Sequence, residues 1–196
     1  MISPFEYVVV LFSIILGMGI TQIVSGMASI IHRWEKVKIY WPHLILVLLV
    51  FVIHIQEWWE AYDMRNYAFW RLSTFLFIIL YPVNLYILAR ILFPINWRSK
   101  EIDLKKFYFQ NYRRIYLFTI TLDLLAILDN VFISGYKISD QIVQIVVLLI
   151  LTFIIARGHS NEWLHKAIAT ILLIILIVTL ALTWNRFLIA GGPNPI

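Results

Sequence analysis

Long apolar runs broken by short charged segments dominate this chain. Positions 7–31, 72–89, 141–156 and 167–184 carry no Asp, Glu, Lys or Arg, 41–59 carries only Glu57, and 115–134 carries only Asp123 and Asp129. Crossing the hydrocarbon core of a bilayer takes about 20 mostly apolar residues at about 1.5 Å rise each, so every run is a candidate span. Barrel strands would alternate polar and apolar residues, and these runs do not, so helices are expected. The expected fold is an all-α integral membrane protein, a single domain over 1–196. Its six transmembrane helices lie at about 5–31, 41–62, 70–93, 115–134, 140–157 and 163–188.

Prolines agree with these limits. Pro4 and Pro42 sit where first-turn prolines belong, and Pro94 follows the third run where a helix should stop. Pro82 falls inside the third run, where it removes a backbone hydrogen bond and should kink the helix, with Asn84 a turn from the freed carbonyl. The connection 96–114 is the long one. Within it Leu104, Phe107, Tyr108, Tyr112 and Ile115 recur at helical spacing, with Lys105, Lys106, Gln110, Arg113 and Arg114 on the other face. That pattern predicts an additional amphipathic helix at about 101–113, between helices 3 and 4, lying in the membrane interface. Its Lys105, Lys106, Arg113 and Arg114 are candidate contacts for anionic lipid headgroups or another anionic ligand.

Composition sharpens the class. The chain is 62% hydrophobic and 14% charged, well above the roughly 45–50% apolar content of soluble domains. Cysteine is absent, which excludes disulfides, thiolate metal sites and a Cys nucleophile. The net charge of +5 sits in loops between apolar runs and points to membrane topology rather than to nucleic acid. Residues 1–4 lack a basic leader, and the first run is far longer than a signal core of about 7–15 residues, so the first helix should be retained.

Most of the 16 Lys and Arg residues fall after helices one, three and five: Arg33, Lys36, Lys38, Arg90, Arg98, Lys100, Lys105, Lys106, Arg113, Arg114, Arg157 and Lys166. The other side holds Arg65, Arg71, Lys137 and Arg186. The positive-inside rule then puts the first group in the cytoplasm and both termini outside, in a bacterial inner membrane. Trp34, Trp41, Trp97 and Trp163 would form the inner aromatic belt, and Trp58, Trp59, Trp70 and Trp184 the outer one. Three helices plus three would place the two halves in opposite orientation, as in inverted-repeat transporters, but no residue-level similarity links the halves.

Candidate chemistry lies in the polar residues of the apolar runs. His54, Glu57 and Glu60 climb one side of the second helix at spacings of three, and Asp123, Asp129 and Asn130 follow on the fourth. Ionisable groups at membrane depth are costly and face a bundle interior, a cavity or a partner charge, so these six are the expected ion or proton path. Asp123, the deepest acid, should be either protonated or paired with a cation. Arg65, Arg71, Arg186, Gln22, Asn84 and Asn185 are possible partners, and a structural ion-pair network would use the same residues.

On the first helix Ser13, Gly17, Thr21, Ser25 and Ser29 recur every fourth position, a small-residue face for close helix packing within the chain or with a second copy in a homo-oligomer. No Gly-rich phosphate loop, Gly-x-Ser-x-Gly elbow or His-Glu-x-x-His pair is present, so no cofactor is legible and an enzyme is disfavoured. The leading expectation is a channel or transporter, passive or proton-coupled, that uses the buried carboxylates. A sensor or effector module acting through the basic loop is the alternative. A membrane metalloenzyme ranks third, since His-x-x-Glu alone is a weak ligand signal.

Overall fold

The structure is a computed structural model that describes residues 3–67, 70–95, 97 and 101–184. Six helices run up and down: α1 (Pro4–His32), α2 (Trp41–Glu60), α3 (Leu72–Ile91), α4 (Leu104–Phe132), α5 (Ile142–Arg157) and α6 (Glu162–Thr183). Each is long and apolar enough, alone or with an adjoining turn of 3-10 helix, to cross a membrane. Their outward faces carry Val24, Leu149, Phe153, Ile174 and Ile177 in exposed positions. Water would not tolerate so broad an apolar surface on a monomer, and the architecture is compatible with a multi-pass membrane protein.

Local chemistry sets the helix ends. Ser3 Oγ accepts the Glu6 N–H at 3.1 Å while Glu6 Oε2 accepts the Ser3 N–H at 2.7 Å, a reciprocal cap that starts α1 just before Pro4. Asn161 caps α6 by accepting the Trp163 N–H. Gly158 ends α5 at φ +64, a left-handed position that favours glycine.

α3 packs along α1 and α4, α5 packs on α4, and α6 packs on α2. At the end that gathers the α1–α2, α3–α4 and α5–α6 connections, β1 (Val37–Lys38) pairs in parallel with β2 (Ile102–Asp103), and Lys38 bridges Glu101 at 3.1 Å. This is the basic end of the bundle. Trp34, Trp41 and Trp163 are exposed there, as Trp58, Trp59 and Trp184 are at the opposite end.

Two expectations are corrected. Residues 101–113 do not form a separate helix. Asp103 Oδ1 accepts the Lys106 N–H at 2.9 Å and starts α4, and no Pro or Gly interrupts the 29 residues that follow. The apolar stripe Leu104, Tyr108, Tyr112 and Ile115 is buried inside the protein rather than laid on a surface. At about 1.5 Å per residue α4 is about 43 Å long, about 13 Å more than the hydrocarbon thickness, so about two and a half turns of it exceed the core.

The second correction concerns α1. Its buried face is Phe12, Leu16, Gly19, Ile23, Gly26 and Ile30. Gly17, Thr21 and Ser25 are exposed, Ser13 and Ser29 are half-buried, and nothing approaches the place where a Gly17 Cβ would sit. The small-residue stripe is therefore not the packing face within this chain. The physical reason is ring size: the His54 imidazole occupies the space of a Gly19 Cβ, and the Phe93 ring that of a Gly26 Cβ. Thr21 and Ser29 hydroxyls return to the helix carbonyls of Gly17 and Ser25.

Pro82 lies within α3, which runs on past it to Ile91, and Asn84 Nδ2 donates at 2.9 Å to Phe118 O of α4. Arg98, Lys100, Asn185, Arg186 and the expected end of helix six at 188 lie outside the described residues.

Candidate functional site: an acid-lined cavity opposite the basic end

A 3-10 segment (Ala61–Asn66) follows α2 directly and tucks Ala61 and Met64 into the core. This turn carries Asp63 back over the bundle beside Glu57 and Glu60. α4 ends nearby, where Gly135 at φ +74 lets the Ser134 and Tyr136 N–H groups reach the carbonyls of Asp129 and Asn130 at 3.0 and 2.9 Å. Asn130 Nδ2 then donates to Gln141 Oε1 at 2.9 Å, which ties the end of α4 to the start of α5 and sets Gln144 one turn further in.

These elements enclose a cavity of about 330 Å³. Its wall includes Glu57, Glu60 and Asp63 from α2 and the following turn, and Asp129 and Asn130 from α4. Tyr67, Tyr81 and Gln144 complete the polar lining. Glu57 lies in Coulomb range of Glu60 and Asp129, and Tyr81 in range of all three and of Asp123. Carboxylates that approach one another in a partly desolvated site repel unless a proton or a cation sits among them. Burial, and then the Asp129 charge, raise the Tyr67 phenol above its ordinary value. The Gln144 Oε1 atom is buried without a hydrogen-bond partner among the described residues.

Of the six residues expected to form a path, four meet here: Glu57, Glu60, Asp129 and Asn130. His54 does not. It is fully buried, donates from Nδ1 to Val50 O at 2.6 Å and packs into the Gly19 notch of α1. α1 approaches α2 on the side that His54 faces, so its ring enters the α1 notch and not the cavity. Asp123 lies outside the lining, six residues before Asp129 and hence about 9 Å along α4 at about 1.5 Å each. Its Oδ2 is buried and unpartnered among the described residues. Among the described residues no group of three or more His, Asp and Glu side chains is placed to hold a metal ion.

Sequence reasoning missed Tyr67, Tyr81, Gln144 and Tyr136, which are ordinary in an apolar run or a turn. His43 and His165 are fully buried at the basic end, among Tyr40, Phe107, Tyr108, Phe109, Tyr112 and Tyr116. Tyr108 OH, Tyr116 OH and His165 Nδ1 form a triangle with sides of 2.7, 2.7 and 2.8 Å. His165 Nε2–H donates to His159 O at 2.9 Å, so in the neutral ring Nδ1 is the acceptor. One tyrosine donates to Nδ1 and the other to its neighbour's oxygen, which satisfies every group. The legible signal was the Tyr108, Tyr112, Tyr116 spacing of four.

The four basic residues expected to meet an anion divide. Lys105 is held by Glu162 at 2.6 Å, a carboxylate shared with Lys166 at 2.9 Å. Arg113 lies against the Gly158 turn, donating from Nε to Tyr112 OH at 3.3 Å, while Lys106 and Arg114 are exposed. No protein-family model matches this chain, and neither a curated protein nor a solved structure matches it.

Proposed function

We propose that this chain is a multi-pass membrane protein that moves a small ion or solute, passively or coupled to protons. In this reading the acid-lined cavity is one mouth of the path, and Glu57 and Asp129 take up the proton or coordinate the cation. The observation that carries it is the convergence of carboxylates from α2 and α4 on one cavity, with Asp123 deeper on α4 holding an oxygen that has no partner among the described residues. Desolvated acids are expensive in a bundle of Ile, Leu and Val and are retained where a charge passes or binds. Tyr67, Tyr81, Asn130 and Gln144 supply neutral donors and acceptors that replace part of the hydration shell of a cargo.

The same reading puts the chain in a bacterial inner membrane with its basic end in the cytoplasm and both termini outside. Its support is the gathering of Arg33, Lys36, Lys38, Lys105, Lys106, Arg113, Arg114 and Arg157 at one end, against Arg65, Arg71 and Lys137 at the other among the described residues.

The test is flux through proteoliposomes under H⁺, Na⁺ or K⁺ gradients. The native protein should conduct or exchange one of them, the Glu57→Gln, Asp129→Asn double variant should lose at least about tenfold of that flux, and Asp123→Asn should do the same if the path continues down α4. No flux from native protein whose folding is confirmed, or flux untouched by the double variant, overturns the proposal.

A further inference from the structure

Two arginines with no carboxylate partner among the described residues lie on neighbouring helices at the basic end. Arg113 of α4 and Arg157 of α5 belong to packed helices, and the Arg113 guanidinium lies on the α5–α6 turn at Gly158, next to Arg157 in sequence. A side chain at 158 would collide with it, so glycine serves both the left-handed turn and the seat of the guanidinium. Among the described residues neither arginine forms an ion pair. Glu162 is already engaged by Lys105 and Lys166, and Asp103 caps α4. Arg114 and Lys106, also without ion pairs among the described residues, continue the positive surface along α4.

Below each arginine, one helical turn into the apolar zone, stands an exposed hydrophobic side chain. Leu117 follows Arg113 by four residues and is 55% exposed, and Phe153 precedes Arg157 by four and is 55% exposed. The Arg157 guanidinium lies over the Phe153 ring at 5.4 Å. Unpaired guanidinium groups above outward-facing apolar side chains complement an anionic headgroup above acyl chains.

We infer that Arg113 and Arg157, with Arg114 and Lys106 beside them, form a binding site for the phosphate headgroup of an anionic phospholipid, whose acyl chains lie along Leu117 and Phe153. The site differs from a general basic surface in being centred on the α4 to α5–α6 seam and in excluding Lys105. It rests on the reading that the bundle is embedded in a membrane, which flotation of each variant with phosphatidylcholine vesicles measures separately.

The full chain is placed in phosphatidylcholine nanodiscs doped with phosphatidylglycerol, and retained lipid is read by native mass spectrometry. Native protein should retain phosphatidylglycerol over phosphatidylcholine. Arg113→Gln with Arg157→Gln should weaken retention by about 30-fold, since each basic residue near an anionic surface contributes about 1 kcal/mol. Arg33→Gln with Lys36→Gln removes the same charge at the same end and should leave retention within about twofold. Arg157→Gln alone, which leaves the Arg113 packing at Gly158 untouched, should give about fivefold. Equal losses from the two pairs would reduce the site to diffuse electrostatics and overturn the inference. So would no loss from Arg157→Gln, equal retention of phosphatidylcholine, or displacement of the lipid by inorganic phosphate at matched concentration.

Discussion

Replacing Gly19 by alanine tests the packing of α1 on α2 at its tightest point. The new Cβ would fall on the His54 ring, inside any tolerable contact with Nε2. His54 is fully buried and tethered from Nδ1 to Val50 O at 2.6 Å, so the ring has no free direction. If it swings away, that hydrogen bond is lost, about 0.5–1.5 kcal/mol. If the helices separate instead, overpacking costs about 1–3 kcal/mol. Alanine recovers about 1 kcal/mol through its better helix propensity. The net expectation for Gly19→Ala lies between about neutral and a destabilisation of about 2 kcal/mol.

A double-mutant cycle isolates the cause. In a His54→Ala background the Cβ has room, so Gly19→Ala should be stabilising by up to about 1 kcal/mol, and the clash cost that disappears gives a coupling of about 0.5–3 kcal/mol. Unfolding in mixed micelles, followed by far-UV circular dichroism against the detergent mole fraction, measures all four proteins. An identical effect of Gly19→Ala in both backgrounds would refute the account of why glycine occupies this position.

Two further predictions concern the basic end. Tyr116→Phe should cost only about 1 kcal/mol, because Tyr108 can still donate to His165 Nδ1, whereas adding Tyr108→Phe strands a buried acceptor and should cost a further 2–3 kcal/mol or so; additive losses in thermal melts would contradict the triangular network. Gly158→Ala and Gly135→Ala should each cost about 1–2 kcal/mol for a left-handed residue, with more at 158 because the Arg113 guanidinium must also move; equal losses at the two sites, or no partial rescue of Gly158→Ala by Arg113→Ala, would count against the seat assigned to Arg113.

The spans themselves were legible in the residues. A run such as 167–184 has no charge to place in water, and its backbone must satisfy itself where water is absent, so length and composition alone dictate a helix able to cross a membrane. The gathering of basic residues at one end follows from the same one-dimensional reading, because each helix reverses direction and odd-numbered connections share a side. Glu57 and Asp129 were likewise visible as acids out of place in apolar runs.

What meets what was decided by tertiary packing. The stripe of Ser13, Gly17, Thr21, Ser25 and Ser29 and the face of Gly19 and Gly26 both read as small-residue surfaces. Only the imidazole of His54 and the ring of Phe93, which come from α2 and the end of α3, selected the second face. His54 and Glu57 are three residues apart, yet one enters the notch of α1 and the other the cavity, because neighbouring helices approach α2 from different sides. Residues 104–113 carried an amphipathic pattern suited equally to a lipid interface and to a buried tyrosine cluster. A period along one helix states which residues share a face, and only the partner supplied by the fold, here His165 from α6, states what that face touches.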